Sequence, residues 1–289
     1  MFKAILCRLI ILWSAFVGCD ARAQEVFQRL YINSGEYTAV DSAQFPFSAF
    51  NATPQFFPEN VRISINAGET LKVRVVNNDS VNHAFQIKDK TTQVGIAPGD
   101  SILVTAVFDT GDEVFIYHDP MDYPRLTALG LAGLIHVKSN SNSTFYWNVK
   151  EFQKEWATQH ALGNPVNWSD YYPDYFTING RSNPNINNDA VARIVGGVGE
   201  TLRVVIANTG QSIHSLHFHG YHAEIIYSSE NSQHEGRSKD TFPIKPMESL
   251  ILEIVPDKPG EYPVHDHNLV AVSAGGIYPN GMFLTMLIQ

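Results

Sequence analysis

The chain has 289 residues, of which 44% are hydrophobic and 17% are charged, and its formal net charge is −9. This length suits two globular domains, and the composition is that of an ordinary globular protein. The excess of acidic side chains disfavours binding to nucleic acid or to an anionic membrane surface, so neither is expected as a partner.

The first segment in chain order, residues 1–23, is predicted to be a signal peptide. Its features are a positive end (Lys3, Arg8), a short apolar stretch (Leu9–Gly18) and a small-x-small cleavage site (Ala21–Ala23). The apolar stretch is too short to span a bilayer as a helix. We therefore expect a periplasmic or secreted protein that begins at Gln24. Lipoprotein processing at Cys19 is an alternative, and it would anchor the chain to a membrane.

The cysteines restrict the chemistry of the rest of the chain. There are two, Cys7 and Cys19, and both lie in the predicted signal peptide. The mature protein is therefore expected to have no disulfide and no thiolate metal ligand. A secreted chain without disulfides depends on its hydrophobic core for stability, and two domains of this size can provide one.

An internal repeat organises the chain after the signal peptide. Gly68–Val73 recurs as Gly199–Val204, and the offset of 131 positions also relates His83 to His214. Such a repeat predicts two domains of the same fold.

The two copies differ in length. Tyr117–Asp119 parallels Val264–Asp266 at an offset of 147 positions, so the second copy has about 16 more residues. We expect these in a loop around Ser228 to Asp240.

Each copy has the pattern of short β-strands. Val61–Ile65 and Leu71–Val75 alternate apolar and polar residues, and Ile102–Phe108 and Leu250–Ile254 are apolar runs of strand length. Turn sequences such as Pro98–Asp100 separate them. The prediction is an all-β protein of two Greek-key β-sandwiches.

The expected domains are residues 24–138 and 174–289. Residues 139–173 are rich in Asn, Ser, Trp and Tyr and are predicted to form an inter-domain connection. Phe152–Gln159 is expected to form a short helix within it.

Six of the 11 histidines are concentrated in two stretches of the second domain. Residues two apart on a strand face the same side, so His217 with His219, and His265 with His267, should each present two imidazoles to one face. Four imidazoles on neighbouring strands form a site suited to copper, zinc, iron or nickel. The alternative is that these are ordinary surface or core histidines.

The remaining histidines have simpler expected roles. His160 and His234 lie in polar, loop-like surroundings and are expected to be solvated, whereas His136 is expected to be structural. His222 is close in sequence to these four histidines but out of their two-residue register. We therefore expect it to contact the metal ligands and not the metal itself.

The chain carries five motifs: Phe176–Gly180, His214–Gly220, Lys239–Pro243, Gly260–His267 with Gly281-Met282, and Tyr117-His118 in the first domain. In these motifs the sequence resembles the multicopper oxidases, a family that includes laccases and copper nitrite reductases. The resemblance implies two cupredoxin domains, a copper cofactor and oxidoreductase chemistry.

The sequence departs from this family at the type 1 (blue) copper site. The positions of the copper-binding cysteine are Asp119 and Asp266 here, and a further expected histidine is Ala271. We expect neither domain to form a type 1 centre. Instead, a His–Asp contact is predicted in each core, His83 with Asp119 and His214 with Asp266. A metal site with harder ligands at these positions is the alternative.

The family's interdomain copper site is only partly present. His217, His219, His265 and His267 match its ligands in the second domain, and His118 matches one in the first. Gln86, Lys88 and Pro120 stand at its other positions. The five remaining histidines favour a mononuclear or at most a dinuclear site. Completing such a site between two chains implies a homotrimer.

Three functions remain open from the sequence. The protein could be a copper oxidoreductase that acts on a small molecule, a non-catalytic protein that buffers or delivers copper, or a cupredoxin scaffold without metal. An open coordination position would favour the first, and closure by four imidazoles the second. The substrate, electron donor and metal are not determined by the sequence.

Overall fold

A computed structural model describes residues 24–139 and 142–289. The signal peptide predicted at 1–23 lies outside these residues. No helix of the described chain is both long and apolar enough to cross a membrane.

The first domain is a sandwich of two sheets. Its strands are β1 (Glu25–Thr38), β2 (Gln44–Asn51), β3 (Ile63–Asn66), β4 (Glu69–Asn77), β5 (His83–Ile87), β6 (Val94–Ile96), β7 (Ser101–Phe108), β8 (Glu113–His118) and β9 (Ala132–Lys138). One sheet has the order β2-β1-β4-β7 and the other β3-β9-β8-β5-β6. Between β8 and β9 lies a short helix, α1 (Arg125–Ala128).

The second domain repeats this plan. Its strands are β10 (Ser143–Phe152), β11 (Tyr175–Ile178), β12 (Val195–Gly196), β13 (Leu202–Asn208), β14 (His214–Phe218), β15 (Ala223–Ser228), β16 (Ser238–Lys239), β17 (Thr241–Ile244), β18 (Ser249–Ile254), β19 (Gly260–Asp266) and β20 (Phe283–Ile288). The sheets have the orders β11-β10-β13-β18-β15-β16 and β12-β20-β19-β14-β17. In both domains the opening strand pairs in parallel with the strand of the Gly-Glu-Thr-Leu repeat, β1 with β4 and β10 with β13.

The segment expected to be a connection is more structured than its composition indicates. Residues 143–152 form β10, which joins the second domain's sheet between β11 and β13. Its aromatic residues are core residues, since Trp147 is fully buried and stacks on Phe218. The second domain therefore begins near Ser143, and the true connection is shorter. The expected short helix is present as α2 (Lys154–Ala161).

The extra residues of the second copy lie between β14 and β17. Residues 219–240 fill this interval, whereas residues 88–93 fill the equivalent interval between β5 and β6. The longer segment is partly strand, because it contains β15 and β16, which extend the sheet of β13 and β18. The expected position near Ser228–Asp240 covers its second half.

The two sandwiches share a hydrophobic interface. Val114 and Ile116 of β8 and Leu134 of β9 form one buried cluster with Val205 of β13 and Ile251 of β18. A sheet of the first domain therefore covers a sheet of the second.

Candidate metal centre

The four histidines predicted to share a face lie together on β14 and on the end of β19. His217 and His265 are directly opposite each other in the antiparallel register. Their neighbours alternate as a half-buried sheet requires: His214, Leu216 and Phe218 point into the core. His217 and His265 are half-buried, and His219 and His267 are exposed.

The imidazole rings are in mutual contact. The ring centroid of His217 lies 4.6 Å from that of His219, 5.6 Å from His265 and 5.5 Å from His267. His219 and His265 have ring centroids 5.1 Å apart, and their Nε2 atoms are 3.0 Å apart. We call these four side chains the histidine face.

Hydrogen bonds fix the tautomer of His265. Its Nδ1 is 2.8 Å from the carbonyl oxygen of Asp266, and a carbonyl can only accept, so Nδ1 donates. In the neutral ring Nε2 therefore carries a lone pair, which accepts a hydrogen bond from Nε2 of His219.

His217 is fixed in the same way through Thr241 on β17. The Thr241 hydroxyl donates to the Asp240 carboxylate, so its oxygen is left to accept from Nδ1 of His217 at 2.9 Å. The Nε2 lone pair of His217 thus faces outward. Such partners, which orient a ligand through its other nitrogen, are typical of metal-binding histidines. Asp240 and Thr241 belong to the Lys239–Pro243 motif, but the motif alone does not indicate this role.

The electrostatics of the histidine face favour a neutral ring at His219. Burial lowers the pKa of His219, and its neighbours His217 and His265 lower it further. Neutral imidazole is the form that binds a metal ion.

The fit to a metal is close but not complete. Two nitrogens bound at about 2.0–2.1 Å to one ion lie about 3 Å apart at right angles, and the Nε2 atoms of His219 and His265 are 3.0 Å apart. His219 must first give up the Nε2 proton that it shares with His265. Yet among residues 24–139 and 142–289 no group of three or more His, Cys, Asp or Glu side chains is already arranged to hold a metal ion. The nitrogen donors are present, and at least one exposed ring must turn to bring a third to the same point.

His118, the fifth predicted ligand, is elsewhere. It ends β8 in a sheet of the first domain, and its ring contacts Tyr123 rather than the histidine face. It is buried, and its Nδ1 has no hydrogen-bond partner in the described part of the chain. Burial lowers its pKa to about 4, so it is a neutral ring. Within one chain it cannot join the other four.

Lys88, which stands at one of the family's ligand positions, forms ion pairs with two carboxylates. Its Nζ lies 3.1 Å from Asp89 and 3.3 Å from Glu230, which belongs to the longer segment of the second domain. These two carboxylates hold its charge at the surface between the domains.

The predicted His–Asp contact is present in the first domain. His83 Nδ1 lies 2.6 Å from Asp119, and its Nε2 lies 3.3 Å from Asp79. The second oxygen of Asp119 accepts backbone N–H groups from Ala84 and Met121. Burial alone would lower the pKa of His83, but the bonds to Asp119 and Asp79 reverse this and raise it.

The contact in the second domain has the same form. His214 Nδ1 lies 2.6 Å from Asp266, and Asp266 accepts N–H groups from Ser215 and Asn268. The other nitrogen of His214 lies 2.9 Å from the buried carboxylate of Glu151. Burial opposes protonation, yet the bonds to Asp266 and then Glu151 raise the pKa of His214 to about 9.

Two buried charged residues on β10 were missed by the sequence reasoning. Glu151 accepts from His214 and from the backbone N–H of Gln211. Lys150 donates to the carbonyls of Thr127 and Thr209, one in each domain, and burial lowers its pKa to about 7. The available signal was a charged pair inside an aromatic, strand-like run.

Comparison with known proteins agrees with this architecture. Residues 157–280 match the family model described as multicopper oxidase. The match covers most of the second domain. No curated protein matches the sequence.

Solved structures with the same fold include a copper oxidase and a copper nitrite reductase. A blue copper oxidase from Nitrosomonas europaea is 20% identical, with a TM-score of 0.79 over 92% of this chain and 86% of that one. A copper nitrite reductase from the same organism is 16% identical, with a TM-score of 0.72 over 92% and 94%. At these identities the likeness shows the fold, which is the two-domain cupredoxin fold predicted from the sequence.

The matched residues include the whole histidine face, and they also include His214 and Asp266. The family model thus covers both the metal-binding candidates and the His214–Asp266 contact.

Proposed function

We propose that this protein is a secreted, periplasmic copper protein that performs redox chemistry on a small molecule. The copper would be held by imidazoles alone, as in a type 2 site, on the histidine face. The protein would have no type 1 copper. The observation that carries this proposal is the pair of fixed tautomers at His217 and His265, which leave the lone pair on Nε2 of each of these two neighbouring rings.

The residues of the histidine face divide into two roles. His217 and His265 are half-buried and oriented by hydrogen bonds, so they supply a rigid base for the metal. His219 and His267 are exposed and can turn to complete the coordination. Copper bound there would supply a Lewis acid and a redox centre. The exposed side leaves access for a small substrate.

The absence of a type 1 centre is supported by the surroundings of Asp119 and Asp266. Each carboxylate is fully buried and satisfied by one imidazole and two backbone N–H groups. These contacts fill the place that a thiolate–copper bond would need. Electrons would then reach the histidine face directly from the substrate or from an external donor.

A homotrimer is part of the proposal. His118 lies in a different sheet from the histidine face, and its buried Nδ1 lacks a partner in the described chain. A neighbouring copy could place its His118 against the four imidazoles of the first. A site of five histidines would hold one copper, or two at most.

Copper buffering or delivery is the second candidate, in which case the partner is a copper donor or acceptor. The exposure of His219 and His267 favours it, because exposed ligands exchange a metal readily. A metal-free scaffold is the third candidate. It is favoured by the lack of any preorganised group of three ligands in the described residues.

The deciding experiment is copper per chain in the copper-loaded mature protein, with its electron paramagnetic resonance spectrum. We expect about one copper with a type 2 signal and no blue absorption. His217→Ala should weaken copper binding at least about tenfold, because it removes an oriented ligand. His234→Ala, which changes a histidine outside the histidine face, is the control and should bind copper as the parent does.

The outcomes separate the three candidates. Copper binding with turnover of oxygen, peroxide or nitrite supports the enzyme, and binding without turnover supports buffering. No copper binding, or equal binding by the His217→Ala variant, overturns both. Sedimentation of the parent tests the trimer: a monomer at micromolar concentration contradicts it.

A further inference from the structure

A small cavity lies beside α2, away from the histidine face. Its volume is about 270 Å³, and one wall comes from the loop after β8 and the other from the segment 160–168. The side chains that matter are Arg125 and Tyr123 on the first wall and His160 and Trp168 on the second. No step of the proposed copper chemistry uses them.

His160 is the unusual member of this cavity. It was expected to be solvated, but its side chain is 3% exposed because α2 packs it between Trp156 and Trp168. Neither ring nitrogen has a hydrogen-bond partner in residues 24–139 and 142–289. An unpaired buried polar atom costs about 1–3 kcal/mol, so a protein rarely retains two on one side chain.

The ring of His160 is neutral at ordinary pH. Burial lowers its pKa to about 4, and the nearby charge of Arg125 lowers it further. A neutral imidazole offers one N–H donor and one acceptor nitrogen. Both nitrogens of His160 are shielded from water, so the ring must turn toward the cavity before its N–H reaches an occupant.

Arg125 supplies a second donor. Its Nε donates to Asp122 at 2.7 Å and its Nη1 donates to the His160 carbonyl at 2.8 Å. These two bonds hold the guanidinium in place, and Nη2 bonds to no residue of the described chain. A fixed guanidinium with a free N–H pair is suited to a carboxylate.

The shape of the cavity restricts the occupant further. Trp168 and Tyr123 place aromatic rings in its walls, with Pro165 and Val166 beside them. Aromatic walls favour a flat ligand. The volume is smaller than that of a cavity for a drug-sized molecule, so it fits a single ring with a small substituent.

We propose that this cavity is a binding site for a small planar carboxylate, whose carboxylate group accepts hydrogen bonds from Arg125 Nη2 and from the His160 N–H, with the His160 ring turned toward the cavity. The flat part of the ligand lies against Trp168 and Tyr123. The site is independent of the copper proposal, because it is formed by the segment after β8 and by the end of α2 with the residues that follow it, and it shares no residue with the histidine face.

The test is calorimetric titration of the mature protein with benzoate as the probe. We expect saturable binding with a dissociation constant at or below about 1 mM, since small well-seated ligands reach this range. Benzamide has the same shape without the charge and should bind at least about tenfold more weakly. Copper-free protein should bind benzoate as copper-loaded protein does.

Two variants isolate the donors. His160→Phe keeps the flat ring against Trp168 and removes both nitrogens, and Arg125→Lys keeps the charge and removes the fork. Each should weaken benzoate binding at least about tenfold. Without ligand, His160→Phe should melt no lower than the parent, since it removes two unpaired polar atoms.

His234→Phe is the matched control, because it makes the same change outside this cavity and should leave benzoate binding unaltered. Absence of saturable binding to the parent would overturn the proposal. So would equal binding of benzoate to the parent and to His160→Phe.

Discussion

The two copies of the repeat place nearly the same strand in different surroundings. In the first domain, β4 alternates strictly between buried and half-exposed residues along its length. In the second domain, every residue of β13 is buried. The difference arises because a sheet of the first domain covers the outer face of β13, whereas the outer face of β4 is open to solvent.

The sequence follows this difference residue by residue. Arg74 on β4 corresponds to Val205 on β13, which packs on Val114 and Ile116 of the first domain. Lys72 corresponds to Arg203. Lys72 makes one exposed ion pair, while Arg203 is 9% exposed and pairs with carboxylates from both domains. Strands β4 and β13 thus have the same backbone arrangement, but one faces solvent and the other an interface. The side chains on their outer faces account for the difference.

The inner faces differ less. Both copies hold a buried imidazole between two carboxylates at matching positions of the repeat. The second carboxylate distinguishes them: Glu151 beside His214 is fully buried, while Asp79 beside His83 is partly hydrated. The positive charge of His214 therefore contributes more to stability than that of His83.

The largest expected effect is the loss of that charge. His214→Ala should lower the free energy of unfolding by about 3–5 kcal/mol, because Glu151 and Asp266 would remain buried without their shared partner. His83→Ala should cost less, since water can reach Asp79. Urea denaturation of both variants checks this. Equal losses would show that the two cores rely on their histidines to the same degree.

The next effect concerns the outer faces. Val205→Arg gives β13 the residue of β4 and buries an unpaired charge against Val114 and Ile116, so we expect a loss of at least about 3 kcal/mol. The reciprocal change, Arg74→Val, lies on the open face and should stay within about 0.5 kcal/mol. Denaturant midpoints of the pair give the comparison. A well-tolerated Val205→Arg would mean that the domains do not pack as described.

The smallest expected effect comes from a change of pH alone, without any substitution. Side-chain NMR should show His214 protonated up to about pH 9, whereas His136, whose pKa burial lowers to about 4, should stay neutral above pH 5. A raised pKa means that the stability from His214 is complete below about pH 6.5 and is lost as the pH rises through about 9. For His136 the lowered pKa reverses the sign, and stability falls as the pH drops from about 6.5 to 4. A His214 titration near 6.5 would contradict the double carboxylate contact.

Much of the fold could be predicted because it rests on local periodicity. The period of two at Leu71–Val75 and the spacing of the histidine pairs place side chains on faces without any knowledge of tertiary contacts. The His–Asp contacts followed from the repeat, since both domains carry the same pair at matching positions.

The remainder depended on contacts between distant segments. Strand β10 looked like a connection because its aromatic sequence has no clear alternation, and it is buried on both sides. His160 looked solvated because Trp168, which stacks on its ring, becomes a neighbour only when the segment after α2 folds back on the helix.

The shared cluster between the domains has a consequence for cooperativity. Its buried residues come from β8 and β9 on one side and from β13 and β18 on the other, so neither sandwich alone encloses it. A fragment with one sandwich would expose this apolar surface to water and would tend to aggregate. The chain is therefore expected to melt as a single unit rather than domain by domain, with its two halves thermodynamically inseparable.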